Sequence, residues 1–169
     1  MSSIIRADQW QNSNGVAYNS VLQVVSTTKT DTYTATSSTY VDITGLSATI
    51  TPKFSTSKIL VMVSMVATGQ SAATVAHFQL ARSGTAIGIG DAGGASQVRG
   101  TSYARDSDRP MSISMTFLDS PATTSSVIYS VQQRNEGAYA VYVNRSQTDS
   151  NNTYYGRSSS TITVMEIAQ

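Results

Sequence analysis

Lys58 to Thr68, KILVMVSMVAT, is the longest apolar run in the chain. Successive side chains of a strand point to opposite faces, so Ile59, Val61, Val63 and Met65 share one side and Leu60, Met62, Ser64 and Val66 the other. Both sides are largely apolar. Such a strand has to be central and covered, and it predicts a two-layer β fold whose other strands alternate more cleanly. Its second face is hard to satisfy in a small sandwich, where one face of each sheet is normally wet. Leu60, Met62 and Val66 are therefore the candidate subunit contact, unless a segment of the chain covers them.

Working outward, the neighbouring segments do alternate. Leu46, Ala48 and Ile50 alternate with Ser47, Thr49 and Thr51 after a turn at Gly45, and Pro52 ends the strand. Met111, Ile113, Met115 and Phe117 face inward against Ser112, Ser114 and Thr116. Val127, Tyr129 and Val131 form a further strand, as do Tyr139, Val141 and Val143. Val21 to Val25 begins the series, the Thr-rich stretch 29–45 reads as a hairpin or meander anchored by Tyr33, Tyr40, Val41 and Ile43, and Val75 to Arg82 follows the central run. The last strand, 160–168, changes phase at Met165, Glu166 and Ile167, which implies a bulge or two covered faces. Nine to eleven strands without a helical pattern predict an all-β, antiparallel β-sandwich of jelly-roll type over residues 21–169.

Composition agrees. The 169 residues contain 27 Ser and 22 Thr, with 9 Tyr and only 3 Pro, which suits strands with polar outward faces. Charged residues are 12% of the chain and the net charge is +1, so no nucleic-acid footprint is visible. The absence of Cys removes disulfides and thiolate chemistry. The central run is about half the ~20 residues that a transmembrane helix needs. Arg6, Asp8 and Gln9 interrupt any secretory h-region, so export by that route is not expected.

Residues 1–20, MSSIIRADQWQNSNGVAYNS, differ from the rest. They hold the only Trp, Trp10, and a turn-rich Asn12-Ser13-Asn14-Gly15, and their apolar residues are spaced too irregularly for an amphipathic helix. They read as an extended N-terminal docking arm in which Ile4, Ile5 and Trp10 would seek a partner surface.

Candidate chemistry is sparse. His77 is the only histidine, its neighbours give it an ordinary sheet position, and no Gly-x-Ser-x-Gly elbow accompanies it. Gly88, Gly90 and Gly93 match a dinucleotide fingerprint in letters, yet GASQVRG after them is no helix, and that motif works only at a helix N-terminus. Asp106 with Asp108, and Asp149 with Asn151, offer oxygens to a hard cation, while the flanking arginines offer ion pairs instead. No cofactor, metal or catalytic residue is expected. Two long polar loops, 90–109 and 145–159, are the functional candidates. Tyr103 and Arg105 in the first, and Tyr154, Tyr155 and Arg157 in the second, combine flat apolar rings with hydrogen-bonding tips and cations, alongside Arg99. They suit a stacking surface for sugars or for another protein, and subunit packing explains them equally well.

Several strings together carry a resemblance: IRADQWQNSNG, VLQVVSTTKTDTYTATSSTYVDITGLSATITP, SKILVMVSM, FLDSPATTS and SSSTITVMEIA. From about Ile4 to Ala168 the chain resembles a family of virion structural proteins of tailed bacteriophages of aquatic bacteria, often labelled tail fibre or appendage proteins. The resemblance implies a non-enzymatic virion component, assembled in the host cytoplasm, that forms a homotrimer. It also implies attachment to other virion proteins, here through the arm, and contact of the outer loops with host-surface glycan. A capsid decoration protein without a receptor role and a carbohydrate-binding module are the alternatives.

Overall fold

The computed structural model describes residues 21–71, 74–105, 109–137 and 139–169. They form β1 (Val21–Lys29), β2 (Tyr33–Ala35), β3 (Val41–Ile50), β4 (Lys58–Gly69), β5 (Val75–Arg82), β6 (Thr85–Ile87), β7 (Ser102–Arg105), β8 (Met111–Asp119), β9 (Val127–Asn135), β10 (Val141–Val143) and β11 (Ser160–Ile167). No helix occurs among the described residues. The candidate arm residues Ile4, Ile5 and Trp10, and the pair Asp106 and Asp108, lie outside the described residues.

Every strand pairing is antiparallel, in two sheets. In the first, β1 pairs with β11 and β11 with β4. At twelve residues β4 is long enough to take two partners on one side, β11 along Lys58–Ser64 and β10 along Ala67–Gly69, with β2 beyond β10. Its other side carries β8 from Ile59 to Ala67. The second sheet runs β3-β9-β5, and the far side of β5 is shared by β7 and β6.

The inward faces of the two sheets meet in one core. Ile59, Val61, Val63 and Met65 from β4 pack with Ile113, Met115, Ile162 and Val164 of the same sheet and with Leu46, Phe78, Leu80, Tyr129 and Val131 of the other. Complete burial of side chains of this size contributes about 1.5–3 kcal/mol each, so this face is the main source of stability. The central position of KILVMVSMVAT and its inward set are as the period-2 pattern implies. The outer set differs from expectation within one chain: Leu60, Met62 and Val66 are only half-buried and Ser64 is exposed. Nothing from the second sheet reaches that side, since the second sheet occupies the inner one.

Three local expectations are corrected. The Thr-rich stretch makes no hairpin, because β2 pairs with β10 in the first sheet while β3 belongs to the second. Gly45 does not end a strand: β3 continues through it as a bulge, with the register against β9 jumping between Asp42 and Ser47 and Gly45 at φ 82°. That positive φ suits glycine, which carries no Cβ to clash. The phase of β11 is also unbroken, since burial alternates regularly from Ser160 to Ile167 and Glu166 is itself an inward residue, fully buried. The irregularity lies in β1, between Val21 and Gln23.

Glu166 is buried because it closes a turn. Its carboxylate accepts hydrogen bonds from Gln23 Nε2 (2.6 Å) and from the main-chain N–H groups of Lys53 (2.7 Å) and Phe54 (3.3 Å). Those two donors belong to the connection between β3 and β4, where no strand partner is available to them. Burial pushes the carboxyl pKa up, but these hydrogen bonds to the charged form outweigh it and leave it below the ordinary value. A second buried carboxylate, Asp119 on β8, joins the sheets: Arg82 Nη1 donates to both of its oxygens at 3.0 Å and the Tyr129 hydroxyl donates at 2.7 Å.

Candidate binding surface

On β5 the inward residues are Ala76, Phe78 and Leu80, so His77 and Gln79 project from the outer face of the second sheet. Register then places Arg134 of β9 on one side of His77 and Tyr103 of β7 on the other. The three form one cross-strand row. The His77 and Tyr103 rings lie 6.2 Å apart and tilted by 33°, and Tyr103 is 70% exposed. Behind Arg134 stands the Tyr40 ring, 6.0 Å from the guanidinium carbon, and Glu136 accepts from Arg134 Nη2 at 2.7 Å.

The loop after β6 walls this row. Gly90 N–H donates to Gly100 O (3.1 Å) and Arg99 Nε donates to Gly90 O (2.6 Å), closing the loop on itself. The Tyr40 hydroxyl donates to Arg99 O (2.6 Å) and Thr101 N–H to Phe78 O (2.8 Å), which pins the loop to the sheet. Gly100 permits the approach: a Cβ there would meet Phe78 O at 2.8 Å and Tyr40 Oη at 2.9 Å. The stretch 90–100 is exposed, as expected of a surface loop, and by closing on itself beside the sheet it borders an open hollow of about 370 Å3 lined by His77, Asp91, Gln97, Arg99 and Tyr103 among others.

Burial, the largest influence, lowers the His77 pKa; Glu136 raises it and Arg134 lowers it again. The ring is held neutral at pH 7. Its Nε2 is 4.0 Å from Glu136 Oε1, beyond hydrogen-bond reach. Among the described residues no group of three His, Cys, Asp or Glu is placed to hold a metal. The arrangement offers stacking on Tyr103 and hydrogen bonding from His77, Gln97 and the charged rim.

The other sequence-derived candidates sit elsewhere. Arg105 is exposed two residues beyond Tyr103 on the same side of β7. Tyr154, Tyr155 and Arg157 belong to the separate loop between β10 and β11, and the ring partner of Tyr103 is His77 rather than either tyrosine. That loop is braced at its base. Arg145 and Arg157 form a β-bridge, and Arg145 stacks 4.1 Å from the Tyr142 ring centroid. Asp149 accepts two hydrogen bonds from Arg157 (2.9 and 2.6 Å) and lies 3.7 Å from Arg145. This carboxylate is paired with arginines, the ion-pairing arrangement that flanking cations offered. Tyr154, 89% exposed, stands at the tip.

Sequence reasoning left out Arg134, gave Glu136 only a turn position and gave His77 an ordinary sheet position. Arg134 follows two glutamines in a strand read only as far as Gln132, so no local signal marks it; cross-strand register alone brings it beside His77. No family model matches this chain, and no curated protein matches it.

Proposed function

We propose that the chain is a non-enzymatic structural component of a tailed-bacteriophage virion, an appendage protein of the tail-fibre, tail-tip or head-fibre kind. In this reading it folds as a jelly roll, assembles as a homotrimer, and uses residues 1–20 as a docking arm onto other virion proteins. The strings that resemble phage appendage proteins supply the family, and the strand pairing supports the fold. Val75 with Arg105, Ile59 with Asp119, Ile50 with Val127, Ala35 with Val141 and Val24 with Met165 are pairs from five successive ladders, all centred on the stretch 88–95. One long hairpin wrapped on itself produces this nesting, and wrapping adds the β11–β4 and β9–β5 pairings. That is how a jelly roll, a common capsid and lectin architecture, is built. The half-buried Leu60, Met62 and Val66 support self-association, Leu60 most of all, because it lies in an apolar row with Val24, Met165 and Leu118, and contiguous apolar surface marks an interaction site.

The test is incorporation. Particles from a phage carrying an epitope-tagged copy should bear the tag at one defined position by immuno-electron microscopy, and a copy lacking residues 1–20 should fold without joining them. Tagged particles without label, or full incorporation of the truncation, would reject the virion and arm readings respectively. A carbohydrate-binding role is favoured by the Tyr103–His77 hollow. Glycan-array binding that disappears with Tyr103→Ala would support it, whereas a capsid decoration protein should bind particles and no glycan.

A further inference from the structure

The outer face of the first sheet is not evenly apolar. Register aligns Val24 of β1, Met165 of β11, Leu60 of β4 and Leu118 of β8 in one row across four strands, and the adjoining row begins with Val21 opposite Ile167. Val21, Val24 and Leu118 are 55%, 53% and 50% exposed. Toward the other end of the sheet the same face turns to hydroxyls, Thr28, Thr161, Ser64 and Ser114 in another row. The apolar part is thus a patch three strand spacings wide, about 14 Å, and it borders Val21, where residues 1–20 join the sheet.

We propose that residues 1–20 of a neighbouring copy occupy this patch, with Ile4, Ile5 and Trp10 as the contacting side chains. The inference rests on the homo-oligomer reading above and makes a second copy of the chain the arm's first partner. Chemistry matches on both sides: an apolar row that no other described residue covers, and a segment holding Ile4, Ile5 and the only Trp amid polar residues. Direction decides between copies. β1 runs from Val21 into the sheet, so an extended continuation backward leaves the sheet's end and does not cross its own row. Trp10 precedes Val21 by eleven residues, roughly 36 Å when extended. A reversal at the turn-forming Asn12-Ser13-Asn14-Gly15 would return Ile4 and Ile5 as far as the chain's own row but leave Trp10 roughly 13 Å short of Val21. All three side chains together therefore fit a neighbour's patch, whereas the chain's own patch could take only Ile4 and Ile5.

The single Trp makes the full-length chain its own reporter. Its emission at assembling concentrations should be blue-shifted and shielded from acrylamide, and should shift red on dilution in step with dissociation seen by sedimentation velocity. Leu118→Ser and Leu60→Ser, both on the outer face, should give the red-shifted spectrum and smaller assemblies while retaining the β-sheet circular dichroism of the parent; Trp10→Ala should weaken assembly with the patch intact. Association in which Trp10 emission ignores both dilution and the patch substitutions would overturn the arm proposal and leave the oligomer reading standing. Shielding that is independent of concentration would place the arm on its own chain and also overturn it. A monomer at every concentration, with Trp10 fully exposed, would remove both.

Discussion

Glu166 shows how one residue fixes a turn. Replacing it with Ala removes the acceptor of the Lys53 and Phe54 N–H groups, while the Gln23 amide keeps Thr51 O; at about 1–3 kcal/mol per orphaned group, reduced where water can reach the turn, this should cost roughly 2 kcal/mol in urea unfolding. Its folded pKa is lowered from 4.5, so its contribution is fully present above that value and is lost as pH falls through the folded pKa. The parent should therefore lose stability below about pH 4.5 by an increment missing from Glu166→Ala. Gln133 presents the opposite case. It is fully buried on β9, and among the described residues neither amide atom has a hydrogen-bond partner. Gln133→Met removes that desolvation cost at similar volume and should raise the thermal midpoint, by the equivalent of about 1–3 kcal/mol; a fall would mean that the amide is satisfied by internal water. Gly88 combines φ 59° with a Cβ position 2.8 Å from the Phe117 ring, whereas Gly84, at φ 83°, has nothing within 4 Å. Gly88→Ala should therefore destabilise by more than Gly84→Ala, which carries only the backbone term of about 1 kcal/mol.

At the scale of elements, β4 has two faces with different duties. Ile59→Ala opens a cavity in the core and should cost about 2–5 kcal/mol. Met62→Ala, on the half-buried outer side, should cost well under half as much in a dilute, dissociated sample and more where the chain is associated, because only there would that face be covered. Equal costs at all concentrations would argue against the outer face as a contact. Much of this was legible beforehand: alternation located the inward residues of β4, β8 and β9. What failed had a physical reason in each case. Gly45 has the same local signature in a turn as in a bulge, and only the β9 register tells them apart. The phase change at Glu166 was misread because a buried carboxylate looks outward until its donors, 112 and 113 residues away, are known.

At the scale of the molecule, the hollow beside Tyr103 and the tip at Tyr154 are separate surfaces, so substitutions should separate them. Tyr103→Ala and Tyr154→Ala should affect different binding activities, each by the roughly 1–3 kcal/mol that a stacking aromatic supplies at an interface, with thermal stability unchanged in both. Identical loss of one ligand from either substitution would mean that the two loops converge in the assembled particle. The Ser/Thr-rich, cysteine-free sequence determined the β class, the central strand, the inward sets of the main strands and the presence of two polar loops, because alternation and turn chemistry are local. Only the tertiary structure decided strand order, the pinning of loop 90–100 to the sheet beside Tyr40, the Arg134–His77–Tyr103 row and the asymmetry of the outer apolar patch. Each of these depends on register between strands far apart in sequence, and period-2 patterning carries no information about which strand lies next to which.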